Sequence, residues 1–266
     1  MTALADPGIQ RSGSRRLGGV ISNPGERAVE AYWNRERLRG WLRNASDKAT
    51  VGSFGAITWP WLLRSLGGGG EDSRAALIER TGLPADTFGT LGSWRADSDT
   101  LLAIADRILD HRPRMIVEFG GGLSTLVAAH CLQRIGGGRL ISFDADAAFA
   151  QHTRDQLARH GLHADVHAVP LVAAPEGLPG YWYDHGPLPD RIDLVIVDGP
   201  PWFLHPLGRG AAEAVFGAIT PGGAVILDDA ARPGERMVAR RWRRNWPGFR
   251  FRYQPGAAGV LIGERG

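Results

Sequence analysis

From residue 97 onward, short apolar runs alternate with stretches whose apolar positions recur every three or four residues. Strand-period and helix-period segments trade places in this way when helices cover both faces of a parallel sheet. The pattern predicts helix 99–110, strand 115–119, helix 124–135, strand 139–143, helix 147–160 and strand 164–169. A Pro/Gly-rich loop follows, then strand 192–197, helix 210–219, strand 223–227 and helix 235–244. Strands 249–253 and 259–262 are separated by a short loop holding Pro255 and Gly256. That loop is too short for a parallel crossover and predicts an antiparallel hairpin at the sheet edge.

Upstream the rhythm is different. Residues 1–27 are rich in Gly, Ser, Pro and Arg without periodicity and read as a disordered tail. Val29, Tyr32, Trp33, Leu38, Trp41 and Leu42 recur at helical spacing, and Trp59, Trp61, Leu62, Leu63 and Leu66 mark a second apolar segment. Glycines 67–70 interrupt the chain before a short helix predicted at 71–80. Residues 28–95 therefore read as a helical extension, either a lid over a site or a surface that joins helices or a second copy of the chain. Residues 96–266 form the main domain.

Composition narrows the class. The 266 residues are 43% hydrophobic, enough for one large α/β domain with an extension. Lys48 is the only lysine, so the formal charge of +3 rests on arginine. Arg240, Arg241, Arg243 and Arg244 cluster around Trp242 and Trp246. A solvated helix face with stacking tryptophans is favoured there over a nucleic-acid patch, because net charge speaks only to non-specific attraction. Cys131 is the sole cysteine, which excludes an intramolecular disulfide or a thiolate metal cluster. The sequence has neither an apolar run of about 18 residues nor a signal-like start, so a cytoplasmic protein without a membrane partner is expected.

Candidate chemistry falls where strands end, which is where open parallel sheets bind ligands. E-F-G-G-G-L-S-T, residues 118–125, follows a strand and opens a helix. Gly120, Gly121 and Gly122 let backbone approach a ligand, and the helix start at Ser124 offers free N–H groups. Both the dinucleotide G-x-G-x-x-G spacing and the G-K-[ST] phosphate-loop ending are missing. Glu118 would repel a pyrophosphate and suits a cationic amino-acid moiety. In F-D-A-D, Asp144 stands 24 residues after Gly120 and is placed to accept two ribose hydroxyls, whereas Asp146 reads as a helix N-cap.

These residues resemble the class I S-adenosylmethionine-dependent methyltransferases over about residues 97–266. The resemblance implies a Rossmann-like, seven-stranded, mostly parallel sheet with an antiparallel last strand. It places the methionine part of the cofactor near the glycine turn, adenine beyond Asp144, and the sulfonium methyl before the fourth and fifth strand ends.

V-D-G-P-P-W at 197–202 looks like the clamp of nucleic-acid amino-methyltransferases, but Gly199 separates the acid from Pro200 and Pro201 and moves them outward. A second motif, I-L-D-D-A-A-R, ends the neighbouring strand with Asp228 and Asp229. Three carboxylates meeting in a cleft need a compensating cation or proton, and oxygen-only ligation suits Mg2+ or Mn2+. The set resembles metal-dependent O-methyltransferases of the catechol and macrolide-sugar types, which implies an ion on Asp198, Asp228 and Asp229 that activates an acceptor hydroxyl. The lysine base of the catechol type is lacking. His205 is the nearest candidate base; without an ion, His205 or Asp228 would act as an unaided base and Asp198 would face the cofactor's methionine amine or the acceptor directly. Asp229 reads equally as a cap or a partner of Arg232, and Arg209 as an anion binder or a partner of Asp228. Tyr181 to Asp184 offers aromatic surface for an acceptor pocket or for the sheet.

The expected activity is methyl transfer from S-adenosylmethionine to a hydroxyl of a small molecule, with a metal ion as a candidate aid. The rivals are nucleic-acid or protein N-methylation through the arginine-rich helix, and a non-catalytic cofactor-binding or assembly module. Self-association through the N-terminal helical region is a further expectation.

Overall fold

The computed structural model describes residues 45–92 and 96–266. The expectations for residues 1–44, including those on Val29, Tyr32, Trp33, Leu38, Trp41 and Leu42, lie outside the described residues. Helices α1 (Ala45–Ser65), α2 (Glu71–Thr81) and the single turn α3 (Ala85–Phe88) precede α4 (Ser98–His111). Then come β1 (Met115–Phe119), α5 (Leu123–Arg134), β2 (Arg139–Asp144), α6 (Ala147–Arg159) and β3 (Asp165–Ala168). The chain continues through β4 (Leu171–Ala173), β5 (Tyr181–Tyr183), β6 (Ile192–Val197), a 3₁₀ segment (Gly208–Ala218) and β7 (Ile219–Leu227). It closes with α7 (Pro233–Asn245), β8 (Phe249–Gln254) and β9 (Val260–Arg265).

Seven strands form one sheet in the order β3-β2-β1-β6-β7-β9-β8. All neighbours are parallel except at β9, which runs antiparallel to both β7 and β8. The predicted hairpin thus forms, and the strand that is last in sequence inserts between its partner and the rest of the sheet. Side chains along β1 alternate between two cores, as a two-residue period requires. Ile116 joins Leu194, Ile196, Ala224 and Ile226 beneath α4 and α5, whereas Val117 and Phe119 join Val195, Val197, Phe216 and Trp242 on the other face.

Leu77, Leu83 and Phe88 belong to the same core as α4 and α5, so the elements before residue 96 and those after it share one interior. Helix α1 is less enclosed. Thr58 is buried, while Ile57, Trp59, Leu63 and Leu66 are exposed. Trp61 lies 6.0 Å from the Arg236 guanidinium of α7. A Cβ built on Gly55 would stand 3.8 Å from the Trp202 ring, so α1 runs over the loop that follows β6.

Two segments differ from the periodicity. The Pro/Gly-rich loop contains a short antiparallel pair, β4 with β5, whose three-residue strands are too brief to show a period. Residues 208–218 wind as 3₁₀ and not as an α-helix. Tertiary contacts explain this: the Trp242 indole donates to the Gly210 carbonyl at 3.1 Å, and Val238 packs on Gly210. A carbonyl turned toward another element is lost to i→i+4 bonding, and the glycines of this segment resist α-helix weakly.

Candidate active site

The register aligns Phe119 with Phe143 and Val197, and Val197 with Leu227, so the four chains leave the sheet at one level. After β1 the backbone turns through Gly120 at φ +89° and Gly122 at φ +143°, values that side chains with a Cβ rarely adopt. The Gly120 amide donates to the Phe143 carbonyl at 2.9 Å, and the Gly122 amide donates to the Thr125 hydroxyl at 2.8 Å. Ser124 is buried in the first turn of α5.

Glu118 lies wholly buried beneath this turn. Its Oε2 accepts the Thr125 hydroxyl at 2.5 Å and the Ser142 hydroxyl at 2.6 Å, while Oε1 has no hydrogen-bond partner. Burial pushes its carboxyl up to about 7, against the pull of the hydroxyl bonds. A half-satisfied acid at neutral pH is suited to meet a donor arriving with a ligand.

At the end of β2, Asp144 is half-buried and accepts the Asp146 amide at 2.8 Å. Burial raises it to about 7, and hydrogen bonds from the Asp146 and Gly121 backbones oppose that rise. Asp144 therefore stands beside the glycine turn. Asp146 caps α6, taking the Ala148 and Phe149 amides at 2.8 and 3.0 Å.

The end of β6 crosses directly over the glycine turn. Phe119 O accepts the amides of Asp198 and Gly199 at 2.9 and 2.8 Å. A Cβ on Gly199 would collide with the Tyr183 hydroxyl and crowd Gly120 Cα at 3.1 Å, so a glycine suits this crossing. Its role in V-D-G-P-P-W is steric: it lets the strand pass close to Gly120 and under Tyr183.

Asp198, Asp228 and Asp229 converge, each offering a carboxylate oxygen within 4.8 Å of the others. Arginine lies among them. Buried Arg209 donates from Nη1 to Asp229 Oδ2 at 3.0 Å and to the Asp228 carbonyl at 3.1 Å. Its Nη2 reaches Asp198 Oδ1 at 3.4 Å and its Nε reaches the Pro200 carbonyl at 3.4 Å, with Glu235 4.0 Å away. Arg232 holds Asp229 Oδ2 at 2.7 Å. The Thr100 hydroxyl of α4 donates to Asp228 Oδ1. Burial raises Asp198 to about 6, with Arg209 opposing; burial and then Asp229 and Asp198 hold Asp228 well above the carboxylate range. Burial also carries Glu235 to about 7.

Residues 117–230 match the family model of a methyltransferase domain, a span that contains the glycine turn, Asp144 and all three aspartates. Under half of the chain is thus similar to a methyltransferase domain, and the sheet around it has the Rossmann-like α/β arrangement. Among solved structures it is similar to an O-methyltransferase from Bacillus cereus in complex with S-adenosylhomocysteine, at 16% identity and TM-score 0.50, over 74% of this chain and 92% of that one. The O-methyltransferase TomG from Streptomyces achromogenes, in complex with S-adenosylmethionine, aligns at 18% identity and TM-score 0.46, over 72% and 90% of the two chains. A methyltransferase from Podospora anserina gives 15% and 0.47, over 74% and 89%. A search of curated proteins finds no match.

His205 is buried in the loop after β6, with its Nδ1 accepting the Leu207 amide at 3.1 Å. A neutral imidazole that accepts at Nδ1 carries its proton on Nε2. The arginine-rich helix α7 turns Val238, Ala239 and Trp242 inward, Trp242 stacking edge-on against Phe216, while Arg241 pairs with Glu213 at 2.9 Å. Arg236, Arg240, Arg243 and Arg244 face solvent. Among the described residues no helix is long and apolar enough to cross a membrane.

Sequence reading missed Thr100 and Glu235 as parts of this site. Thr100 is brought in by α4, far away in the chain, whereas Glu235 lies in the first turn of the helix that follows Asp229. Arg209 was foreseen beside Asp228, and the structure engages it with the Asp228 carbonyl and the side chains of Asp198 and Asp229 instead.

Proposed function

We propose that the protein transfers the methyl group of S-adenosylmethionine to a hydroxyl oxygen of a small-molecule acceptor. The observation that carries this reading is Asp198, a carboxylate pinned by Arg209 at the strand end that crosses the glycine turn. In the proposed complex Gly120, Gly121, Gly122 and Ser124 line the methionine part of the cofactor, Glu118 takes its ammonium through the shell of the turn, and Asp144 takes the ribose hydroxyls. An acceptor hydroxyl held against Asp198 lies on the side from which the methyl is attacked. The oxygen lone pair forms the new C–O bond, the C–S bond breaks with its electrons going to sulfur, and the hydroxyl proton passes to Asp198. Orientation and proton removal supply the rate enhancement.

Asp198 is preferred as the base because His205 already uses its Nδ1 lone pair on the Leu207 amide. For the expected Mg2+ or Mn2+ the oxygen donors are of the right kind. Asp198 and Asp229, however, are already paired with Arg209 and Arg232, and Asp228 Oδ1 with the Thr100 hydroxyl, so the donor set does not fit an ion as it stands and no step is routed through one.

The test is a panel of small hydroxyl compounds incubated with methyl-labelled S-adenosylmethionine, followed by mapping of the labelled atom. Label on oxygen supports the proposal. Label confined to nucleic acid or protein, in an assay where the small-molecule panel stays unlabelled, overturns it.

A further inference from the structure

We propose that Arg209 is a positioning residue that occupies, as a fixed organic cation, the place a divalent ion would otherwise take among Asp198, Asp228 and Asp229. This inference deepens the proposed reaction and rests on it for the role of Asp198. The geometry is that of a bridge. One guanidinium reaches the side chain at the end of β6, the Pro200 carbonyl in the loop beyond it, and both the backbone and a side chain at the end of β7. A planar fork with several donors can satisfy such divergent acceptors at once, which a point charge on a flexible stem cannot. Arg209 is itself buried, and its fixed charge faces the cluster without a hydration shell to shed.

Ion and guanidinium exclude each other here. Asp229 Oδ2 already accepts from both Arg209 and Arg232, and Asp198 Oδ1 is taken by Arg209. An ion drawing on the same oxygens would lie within a few ångströms of a second positive charge in a poorly screened interior, where like charges repel strongly. Removal of Arg209 frees Asp198 and leaves Asp229 with Arg232 alone, and together with Asp228 these acids are an oxygen-only set of the kind a hard ion takes.

The experiment compares the full-length wild type with Arg209→Ala and Arg209→Lys, using Mn2+ alone as the probe, read by electron paramagnetic resonance and thermal shift. S-adenosylhomocysteine affinity is measured alongside by calorimetry. Wild type is expected to bind no Mn2+ and to keep its turnover in excess chelator. Arg209→Ala is expected to bind Mn2+ and to lose at least about tenfold in kcat, while its KM for S-adenosylmethionine changes less than about twofold. Added Mn2+ should restore part of that kcat. Arg209→Lys, which keeps the charge without the fork, should show an intermediate kcat and no Mn2+ binding.

Mn2+ binding by the wild type, or loss of its turnover to chelator, overturns the inference. So does an Arg209→Ala protein that binds no Mn2+ or works as fast as wild type. If Arg209→Ala does not fold, the lysine variant and the wild-type Mn2+ titration decide: a lysine variant with wild-type kcat would count against the proposal. The Mn2+ measurement needs no acceptor, so it stands or fails separately from the assignment of methyl transfer to a hydroxyl. A wild type that binds no S-adenosylhomocysteine would strike that assignment and leave the metal result intact.

Discussion

Gly120 and Gly199 meet backbone to backbone: a Cβ built on Gly120 would lie 2.5 Å from the Gly199 nitrogen, and one built on Gly199 would lie 3.1 Å from Gly120 Cα. The glycine turn after β1 and the strand end that carries Asp198 thereby approach more closely than a side chain at Gly120 would allow. This contact sets the distance between the proposed cofactor cradle and the proposed base.

Gly120→Ala should accordingly destabilise the fold by about 2–3 kcal/mol, combining overpacking with the positive φ of that residue. Gly217→Ala, whose new methyl meets open space, should change stability by no more than about 0.5 kcal/mol. Urea denaturation of the two variants checks the pair. Equal stabilities would show that the two strand ends are not in contact.

Asp144→Ala should weaken S-adenosylhomocysteine binding by about 2 kcal/mol, roughly 30-fold, through the loss of hydrogen bonds to a charged acceptor. Titration calorimetry gives the number. NAD should not bind either protein, because Glu118 lies buried under the turn where a pyrophosphate would sit. An unchanged dissociation constant would place the ribose elsewhere.

Asp198 is held at about 6, so its base form accumulates as pH rises through that value. The proposed reaction should show kcat/KM rising with pH around 6 and levelling above it. Asp198→Asn should remove this limb and lower kcat by about 10²–10⁴-fold, the usual range for loss of a positioned base. A pH profile that is identical in the variant would assign the limb to another group.

Glu118 shifts from an ordinary 4.5 up to about 7 because of burial. The folded state then holds a proton that the unfolded state releases, so stability falls as pH climbs from 4.5 to 7 and is flat above. Asp144 and Glu235, both near 7, act in the same direction. The Glu118 contribution reaches about 3 kcal/mol, and Glu118→Gln should flatten the difference between urea melts at pH 5 and pH 8 by that order. Melts of wild type and variant that stay parallel across this window would show that the carboxyl ionises freely in the folded protein.

The alternation of apolar runs with helical periods was enough to establish the doubly covered sheet, its parallel strands and the final hairpin, because each of these rests on spacing that local sequence records. E-F-G-G-G-L-S-T and F-D-A-D announced a glycine turn, and the N-cap at Asp146, for the same reason: turns and caps are made within a few residues. Register then brought Asp198 beside Asp228 and Asp229, as expected from adjacent strand ends.

Arg232, three residues after Asp229, was legible as its partner, but the engagement of Asp198 and Asp229 by Arg209 was decided only by the tertiary structure. Arg209 stands eleven residues after Asp198 and twenty before Asp229, and Thr100 is 128 residues from Asp228. Nothing in spacing indicates that a guanidinium will fill a gap which, from three carboxylates alone, reads as a metal site. The 3₁₀ winding of Gly208–Ala218, which carries Arg209 near its start, likewise depends on Trp242 drawing the Gly210 carbonyl aside. Local sequence determines where charges occur along the chain, but compensation of charge is a sum over whatever the fold brings within a few ångströms, and that sum exists only in three dimensions.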